Sequence, residues 1–432
     1  MSVTNNVMSL DGGRPLLGEL PVFRAKNSAL YLMLASLLTD EEVVLEDVPR
    51  LADVLVLEEL LRYVGVDTAW EGHTLRLHAR SLKTCNAPYG LVSKMRASFV
   101  IMGALVSRCG EASVPMPGGC AFGPRPVDRH ISAMRDLGVI VDEEEGVFHV
   151  HRPVRMAGRV VFEAPTVGGT QNVLLAAAMA DGEVVIENAA LEPEVPDLAN
   201  MLNAMGANIS GAGTRTIKVT GVRKLHGVSY RPISDRIEAG TYMLAAAATR
   251  GRVTLRDVEP QNLTAVTEAL AATGVSVTTG DDWIVVDAKD RALRPTDLQA
   301  AEFPGLPTDL QAPFTAFLAT VPGLSNLSDS VYPDRFTHVD ELSHTGADLR
   351  LVDRTLEVRG GPLKGAAMHA ADIRAGSALV IAALAAQGTS EIGGLKFIDR
   401  GYERLTERLT QLGADVVRQG ATAVVAGASY GD

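Results

Sequence analysis

One glycine-rich loop holds the cysteine that is best placed for chemistry in this sequence. The loop reads MPGGCAFGPRPVDRH over residues 116–130, with Cys120 at its tip. A thiol with an ordinary pKa of ~8.5 is mostly protonated at neutral pH, so it could donate a proton or, as a thiolate, act as a nucleophile. Arg125 directly precedes a helix expected to begin at Pro126 and run towards Leu137, and the free N–H groups of such a helix end favour an anion. An inert loop cysteine is the alternative interpretation.

Charged residues also recur where helices are expected to begin. Arg24 and Lys26 stand at the start of the first apolar helix, although the helix dipole favours acids there. This conflict indicates an anionic ligand, and a solvated lysine is the alternative. Asp309 stands at the start of a later helix, where a capping or first-turn acid is the alternative explanation. Three pairs repeat the arrangement, either as capping pairs or as the lining of one cleft: Asp235 with Arg236, Asp372 with Arg374, and Asp399 with Arg400.

Six similar segments of the chain must position these residues. In each one an apolar helix is followed by a strand, a second helix that ends on glycine, and a strand pair. The first helices are apolar nearly all round, so they belong in the interior, and each glycine is expected to be left-handed. The six glycines are 67 to 73 residues apart: Gly65, Gly138, Gly206, Gly274, Gly346 and Gly413. This pattern predicts an α/β protein of two domains with three units each.

Composition and charge exclude several classes of protein. The chain has 432 residues, and its 40 Lys and Arg against 52 Asp and Glu give a net charge of −12, which argues against nucleic-acid binding. Its first residues lack the basic and apolar regions of a signal peptide. The longest apolar run, residues 378–386, is far shorter than the ~20 residues that a membrane helix needs. The sequence therefore predicts a soluble, cytoplasmic protein.

Several common chemical motifs are missing. The sequence lacks the glycine fingerprint of dinucleotide-binding domains, the P-loop, the His-Glu-x-x-His zinc motif and the Gly-x-Ser-x-Gly elbow. Neither a cofactor nor a metal is therefore expected. Three cysteines cannot form a disulfide framework, and Cys85 and Cys109 are interpreted as inert.

Several phrases taken together resemble the family of UDP-N-acetylglucosamine enolpyruvyl transferases. They are Lys26-Asn27, PGGCAFGPRPVD, PTDLQAP, HVDELSHTGAD, ADIRAGSALV and IDRGYER, and the similarity runs from about residue 15 to residue 420. The resemblance implies two inside-out, barrel-like α/β domains, each of three βαβαββ units, with the active site in the cleft between them. It places one domain at residues 26–233, with the Cys120 loop, and the other at residues 1–25 plus 234–432.

The resemblance also implies a reaction. The family transfers the enolpyruvyl group of phosphoenolpyruvate to the 3′-hydroxyl of UDP-N-acetylglucosamine, through a tetrahedral ketal, and releases phosphate. This is the first committed step of peptidoglycan synthesis, and fosfomycin, an epoxide that mimics phosphoenolpyruvate, inactivates the family at the loop cysteine. Phosphoenolpyruvate and UDP-N-acetylglucosamine are thus the expected partners of a monomer or weak homo-oligomer that binds neither nucleic acid nor membrane.

Particular residues match the family's functional positions. Cys120 matches the proton donor and Asp309 the base, while Lys26, Arg125 and Arg400 match the cations that hold phosphoenolpyruvate. Further matches to substrate-binding or cleft positions are Asn27, Arg96, Pro126, Val127, Asp128, Thr166, Gly168, Glu192, Val331, Arg335, Asp372 and Arg374, with Arg125 and Asp309 also matching positions that bind the UDP-sugar. Arg24 departs from the family, which usually has a small residue there.

Other functions remain open on the sequence. An enolpyruvyl transferase of nucleoside-antibiotic biosynthesis, acting on a nucleotide such as UMP, is the nearest alternative. 5-Enolpyruvylshikimate-3-phosphate synthase shares the fold, but its Gly-Asp-Lys-Ser start and Asn-x-Gly-Thr-x-x-Arg signature are missing. A catalytically silent paralogue that only binds UDP-sugars is a third possibility, against which the presence of Cys120, Asp309, Lys26 and Arg400 speaks.

Overall fold

Helices and strands alternate along the chain, and the computed structural model describes residues 6–118, 127–153 and 155–419. The helices in these residues are α1 Lys26–Ala35, α2 Ala52–Val64, α3 Tyr89–Val92, α4 Ile101–Cys109, α5 Asp128–Asp136, α6 Val167–Ala177, α7 Glu194–Ala204, α8 Arg236–Ala248, α9 Thr264–Ala272, α10 Gln311–Leu318, α11 Val339–Ser343, α12 Ile373–Ala385, α13 Leu395–Ile398 and α14 Leu405–Gln411. The strands are β1 Val7–Asp11, β2 Leu17–Pro21, β3 Glu42–Leu45, β4 Asp67–Glu71, β5 Thr74–His78, β6 Glu111–Pro115, β7 Ile140–Glu144, β8 Val147–His151, β9 Gly158–Val161, β10 Glu183–Glu187, β11 Asn208–Ser210, β12 Thr216–Thr220, β13 Val228–Tyr230, β14 Arg252–Arg256, β15 Ser276–Thr279, β16 Trp283–Asp287, β17 Leu298–Ala300, β18 Gly323–Asp329, β19 Asp348–Val352, β20 Thr355–Gly360, β21 Ala367–His369, β22 Thr389–Gly393 and β23 Asp415–Gln419. Short 3-10 turns cover Ser36–Leu38, Arg96–Val100, Pro260–Leu263 and Thr308–Leu310.

Six separate sheets hold these strands, one for each predicted unit. Within the described ranges the strand orders are β13-β3-β5-β4, β6-β8-β7, β11-β12-β10-β9, β15-β16-β14-β2, β17-β18-β20-β19 and β21-β22-β1-β23. Each four-stranded sheet contains one parallel pair and two antiparallel pairs. The repeat predicted from the glycine spacing is therefore confirmed.

The first helix of each unit lies inside the sheets. Helices α8, α10 and α12 contact one another in the C-terminal half, as α1, α4 and α6 do in the N-terminal half. Every residue of α8 is buried, as expected for a helix that is apolar nearly all round. The six unit-ending glycines have φ angles between 81° and 111°, the left-handed conformation predicted for them. Within the described part of the chain, no helix has the length and apolar character needed to cross a membrane.

Two separate clusters of buried apolar side chains form the cores of the two halves. One cluster draws on residues 29–225, and the other combines residues 8–22 with residues 237–416. The chain crosses over at its start, because β1 and β2 join sheets of the C-terminal half. The domain borders at residues 25 and 234 stay a prediction, which these two cores support.

Cys85 and Cys109 form a disulfide bond, so the interpretation of both as inert thiols is wrong. Cys85 lies in the loop after β5, Cys109 ends α4, and their Cα atoms are 6.5 Å apart. A bridge between Asn86 and Ser113 brings these segments together, a long-range pairing that a sequence separation of 24 does not reveal. The bond counts against the predicted cytoplasmic location, because mesophilic cytosolic proteins seldom keep structural disulfides.

Reducing this bond is expected to lower the free energy of unfolding by ~3 kcal/mol, because a loop of this length then regains its freedom in the unfolded chain. Thermal unfolding with and without dithiothreitol measures the change, and a Cys85→Ser/Cys109→Ser variant should not respond to the reductant. Thiol titration in denaturant provides the check. One reactive thiol is expected without reductant, and finding all three would contradict the bond.

Candidate active site

A cavity of about 660 Å³ lies between the two halves of the chain. Its walls come from α1, the turn at Arg96, α5 and the start of α6 on one side, and from residues 301–309 and 330–332 on the other. The predicted site residues that line it are Asn27, Arg96, Thr166, Gly168, Glu192, Asp309 and Val331. Residues far apart in sequence are thus brought to one cleft.

The remaining predicted residues have other positions. Val127 is buried directly before α5, and Asp128 is the exposed first residue of that helix. Cys120, Arg125 and Pro126 lie outside the described residues. Lys26 and Arg400 bind the carboxylate of Asp53. Arg335 and Arg374 bind the carboxylate of Asp309, and Asp372 caps the helix that carries Arg374.

Asp309 is held between two arginines rather than capping a helix. Arg335 Nη1 donates to Oδ1 at 2.9 Å, and Arg374 Nη2 donates to Oδ2 at 2.6 Å. Burial favours the neutral acid, but Arg374 and Arg335 outweigh it and hold the pKa of Asp309 well below its usual range. The carboxylate is therefore firmly ionised and, while both arginines stay in place, only weakly basic.

Asp372 explains how Arg374 reaches this carboxylate. Its Oδ1 accepts from the backbone N–H of Arg374 at 2.8 Å and of Ala375 at 3.0 Å, so Asp372 is the N-cap of α12. Thr337 Oγ1 donates to the other oxygen at 2.9 Å. The capping interpretation is thus correct for Asp372, while the side chain of Arg374 binds Asp309, which lines the cavity.

Asp53 joins two of the predicted cations, although the sequence did not single it out. Its Oδ2 accepts from Lys26 Nζ at 3.0 Å, and its Oδ1 accepts from Arg400 Nε at 3.0 Å. Lys26 belongs to the N-terminal half and Arg400 to the C-terminal half, so this carboxylate connects the two cores. Burial opposes its ionisation, but Lys26 and Arg400 still lower the pKa of Asp53. In sequence it resembles an ordinary first-turn acid of α2.

A second buried ion pair crosses between the halves. The Arg236 guanidinium donates from Nε to Glu194 Oε1 at 3.0 Å and from Nη2 to Oε2 at 3.2 Å. Both residues line the cavity and are almost wholly buried. Their two parallel bonds fix the geometry of this part of the cavity wall. Asp235, the preceding residue, caps α8 through the N–H groups of Ile237 and Glu238.

The IDRGYER phrase adds a third connection. Glu403 Oε2 accepts from the backbone N–H of Arg50 at 2.8 Å, and its Oε1 lies 2.8 Å from His73 Nε2. Asp399, by contrast, forms a two-bond pair with Arg418 in its own half. Only part of this phrase therefore faces the other domain.

Arg24 does not point into the cleft. Its guanidinium lies 3.3 Å from Asp257 and 3.6 Å from Glu259, and its backbone bridges Ser234, where the chain crosses between the halves. Only 4% of Arg24 is exposed. These two carboxylates explain the cation at this position, so no ligand is needed to explain it.

Other cavity residues were not assigned to the site from the sequence. They are Tyr31, Arg129, His130, Glu194 and Glu302. Arg129 and His130 close the loop phrase of residues 116–130, but no role was assigned to them, and the other residues lie outside the phrases that carry the resemblance. Arg236 also lines the cavity, in agreement with the cleft interpretation of its pair with Asp235.

The geometry suits two anionic substrates. Arg96 and Arg129 from one half and Arg236 from the other line the cavity. Two further pairs of cations are each held by one carboxylate: Lys26 and Arg400 by Asp53, and Arg335 and Arg374 by Asp309. Arginines recognise phosphate and carboxylate groups through paired N–H donors. Among the described residues, no group of three or more His, Cys, Asp or Glu side chains could hold a metal ion.

Comparison with known proteins agrees with this geometry. Residues 10–409 match the model of the EPSP synthase (3-phosphoshikimate 1-carboxyvinyltransferase) family. The enolpyruvyl transferase NikO from Streptomyces tendae is a structural neighbour, with a TM-score of 0.86 at 25% identity over 97% of this chain and 100% of that one. An EPSP synthase from Acinetobacter baumannii shares the fold, with a TM-score of 0.74 over 95% of this chain and 100% of that one, at 18% identity.

Two curated relatives are much more similar in sequence. The UDP-N-acetylglucosamine 1-carboxyvinyltransferase of Thermus thermophilus is 52% identical over 423 residues, which cover 98% of this chain and 99% of the relative. The enzyme of the same name from Deinococcus radiodurans is 49% identical over 412 residues, covering 95% and 97%. The chain therefore belongs to the UDP-N-acetylglucosamine 1-carboxyvinyltransferases, within the enolpyruvyl transferase family.

Proposed function

We propose that this protein transfers the enolpyruvyl group of phosphoenolpyruvate to the 3′-hydroxyl of UDP-N-acetylglucosamine and releases inorganic phosphate. The observation that carries the proposal is the whole-chain similarity to transferases named for this activity, at about half of all positions. The cleft supports it, because it is large enough for a nucleotide-sugar and is flanked by cations from both halves. A cytoplasmic location follows from the proposal, since both substrates are made inside the cell.

The reaction exchanges phosphate for a sugar oxygen at one carbon. The 3′-oxygen of the sugar forms a bond to C2 of phosphoenolpyruvate while its methylene C3 gains a proton. The bond from C2 to the phosphate oxygen then breaks, C3 loses a proton, and the enol ether remains on the sugar. Cys120 is the proposed acid for C3, and Asp309 is the proposed base for the 3′-hydroxyl.

Asp309 needs a change of partners before it can take that proton. Two arginines hold its pKa well below the usual range, which weakens it as a base. The substrates carry phosphate and carboxylate groups that compete for the same arginines. We infer that substrate binding draws Arg335 or Arg374 away from Asp309 and so raises its basicity where the hydroxyl arrives.

Lys26 and Arg400 are the proposed holders of phosphoenolpyruvate, together with Arg125. Asp53 keeps Lys26 and Arg400 close together across the boundary between the two halves, at 3.0 Å and 2.9 Å from its oxygens. An anionic substrate between the two cations would thus also join the two halves, which suits a site that must exclude water during reaction.

Phosphate release tests the acceptor directly. The protein is incubated with phosphoenolpyruvate and, in separate reactions, with UDP-N-acetylglucosamine, UMP or shikimate 3-phosphate. Release is expected only with UDP-N-acetylglucosamine. Release only with UMP would instead support the nucleoside-antibiotic alternative, and no release with any acceptor would support the silent paralogue.

Covalent labelling tests the proposed acid. Fosfomycin, offered together with UDP-N-acetylglucosamine, is expected to abolish turnover and to add its mass to the peptide that contains Cys120. A Cys120→Ser variant is the control and should carry no adduct. Inactivation without an adduct on Cys120, found by mass spectrometry of the digested protein, would remove the cysteine from this role.

A further inference from the structure

His130 forms part of the cleft wall but takes no part in the bond-making and bond-breaking steps proposed above. It lies in the first turn of α5, is only 4% exposed, and packs edge-on against Phe99 with ring centres 5.5 Å apart. Its ring faces the start of α6, since a Cβ added at Gly168 would lie 3.4 Å from Nε2 and 3.2 Å from Cε1. The imidazole is therefore held next to a helix N-terminus that lines the cavity.

The neighbours of His130 determine which ring nitrogen carries the hydrogen. The backbone N–H of Gly103 donates to Asn172 Oδ1 at 2.9 Å, so the amide nitrogen of Asn172 is the atom that faces the ring. That nitrogen lies 3.2 Å from His130 Nδ1. Because an amide NH₂ can only donate, Nδ1 accepts, and a neutral ring carries its hydrogen on Nε2.

The packing around Asn172 prevents its side-chain amide from rotating and exchanging its oxygen and nitrogen. Asn172 is fully buried, and α4 approaches α6 so closely that a Cβ on Gly103 would come within 2.3 Å of the Asn172 carbonyl oxygen. Burial, together with the nearby Arg96, lowers the pKa of His130 to about 3, so the ring is neutral at physiological pH. His130 is thus a fixed, uncharged donor.

Hydrogen-bond donors without acceptors meet at this point. Thr166 Oγ1 accepts from the Gly169 N–H and caps α6, while the N–H groups of Val167 and Gly168 have no acceptor within the described residues. His130 Nε2 likewise has no partner there. A helix N-terminus favours negative charge, and a neutral N–H beside it adds a directed bond.

We propose that His130 donates a hydrogen bond from Nε2 to a phosphate oxygen of the nucleotide-sugar, at the N-terminus of α6, and that Asn172 holds His130 in the tautomer this requires. The assignment rests on the proposed function, because it takes the pyrophosphate of UDP-N-acetylglucosamine as the acceptor. His130 is accordingly a binding residue for this substrate, and Asn172 is a positioning residue that acts through it.

Three variants distinguish the effect of the Nε2–H donor from the effect of the aromatic ring. His130→Gln keeps an N–H donor near the position of Nε2, and His130→Phe keeps an aromatic ring but no donor. Asn172→Asp places an acceptor opposite Nδ1, which moves the hydrogen to Nδ1 and leaves Nε2 an acceptor. Calorimetry measures the dissociation constants of UDP and UDP-N-acetylglucosamine, and steady-state kinetics measures KM for both substrates.

His130→Phe and Asn172→Asp are expected to weaken UDP binding by about 10- to 100-fold, the usual effect of losing a hydrogen bond to a charged group. His130→Gln should stay within about threefold of wild type, because the donor is kept. KM for phosphoenolpyruvate should not change in any of them. Equal losses in the Gln and Phe variants, or a parallel rise in KM for phosphoenolpyruvate, would overturn the assignment.

Nitrogen-15 spectra of the ligand-free wild-type protein provide a test that needs no variant to fold. The hydrogen-bearing nitrogen of His130 should be Nε2, and finding the hydrogen on Nδ1 would overturn the proposal. Wild-type protein that shows this tautomer but does not bind UDP would instead overturn the proposed nucleotide-sugar substrate, and with it the proposed role of His130.

Discussion

Replacing Asp53 by asparagine is expected to lower the free energy of unfolding by about 3 to 5 kcal/mol, because it leaves Lys26 and Arg400 close together without their shared negative charge. Lys26 is nearly buried, with 8% of its side chain exposed, so water cannot replace the lost carboxylate at its ammonium group as it can at Arg400, which is 36% exposed. Urea denaturation followed by circular dichroism measures the change. The same variant should lose about 100-fold in kcat, because phosphoenolpyruvate then binds closer to the place of the lost carboxylate, and a misplacement of about 1 Å has an effect of this scale.

A ligand rescue makes this prediction specific. Phosphoenolpyruvate should raise the Tm of Asp53→Asn more than that of the wild type, because its negative charge takes the place that the carboxylate left between the two cations. Asp47→Asn is the matched control, since Asp47 pairs with Arg231 on the surface, and its stability should change by less than about 1 kcal/mol. Equal Tm shifts in Asp53→Asn and wild type would show that these cations do not hold the substrate.

Replacing Asp309 by asparagine is expected to reduce turnover by about 10²- to 10⁴-fold, the usual contribution of a general base. The variant should still unfold cooperatively, because the asparagine oxygen can accept from Arg335 or Arg374 in the same place. Phosphate release under saturating substrates measures turnover, and a thermal melt measures folding.

A surface pair offers the control for Asp309. Asp348 lies 3.5 Å from Arg359, with both side chains well exposed, so Asp348→Asn makes the same chemical change away from the cleft. Its turnover should remain within about twofold of wild type, since exposed pairs contribute little. Near-normal turnover in Asp309→Asn would remove this carboxylate from the base role, leaving it as a support for the two arginines.

The fold was largely predictable because its main signal is local and repeated. A glycine that ends a helix and a helix apolar on all sides are both visible within a dozen residues, and both are confirmed at every unit. The disulfide between Cys85 and Cys109 was missed because it depends on two segments meeting through a long-range strand bridge.

The site was predictable only where its residues lie in recognisable local phrases of the sequence. Motif matching singled out Asp309, Lys26 and Arg400, but Asp53 and Glu194 look like ordinary helix-start acids in sequence. Their importance comes from cations 347 and 42 residues further along the chain, on elements that only the folded structure brings together. The acids at helix starts had two possible explanations, and both occur: Asp372 caps its helix, while Asp309 binds arginines.

The interleaved start of the chain has a consequence for how the protein is made. Strand β1 pairs on one side with β22 and on the other with β23, and β2 pairs with β14. At ribosomal rates of ~5–20 residues per second, about 20 to 80 s separate the synthesis of β1 from that of β23. The N-terminal half can complete its own core during that time, whereas β1 must wait for the last strands of the chain. A nascent chain stopped before β22 should therefore have a protease-resistant N-terminal half and an N-terminal tail that is still cleaved.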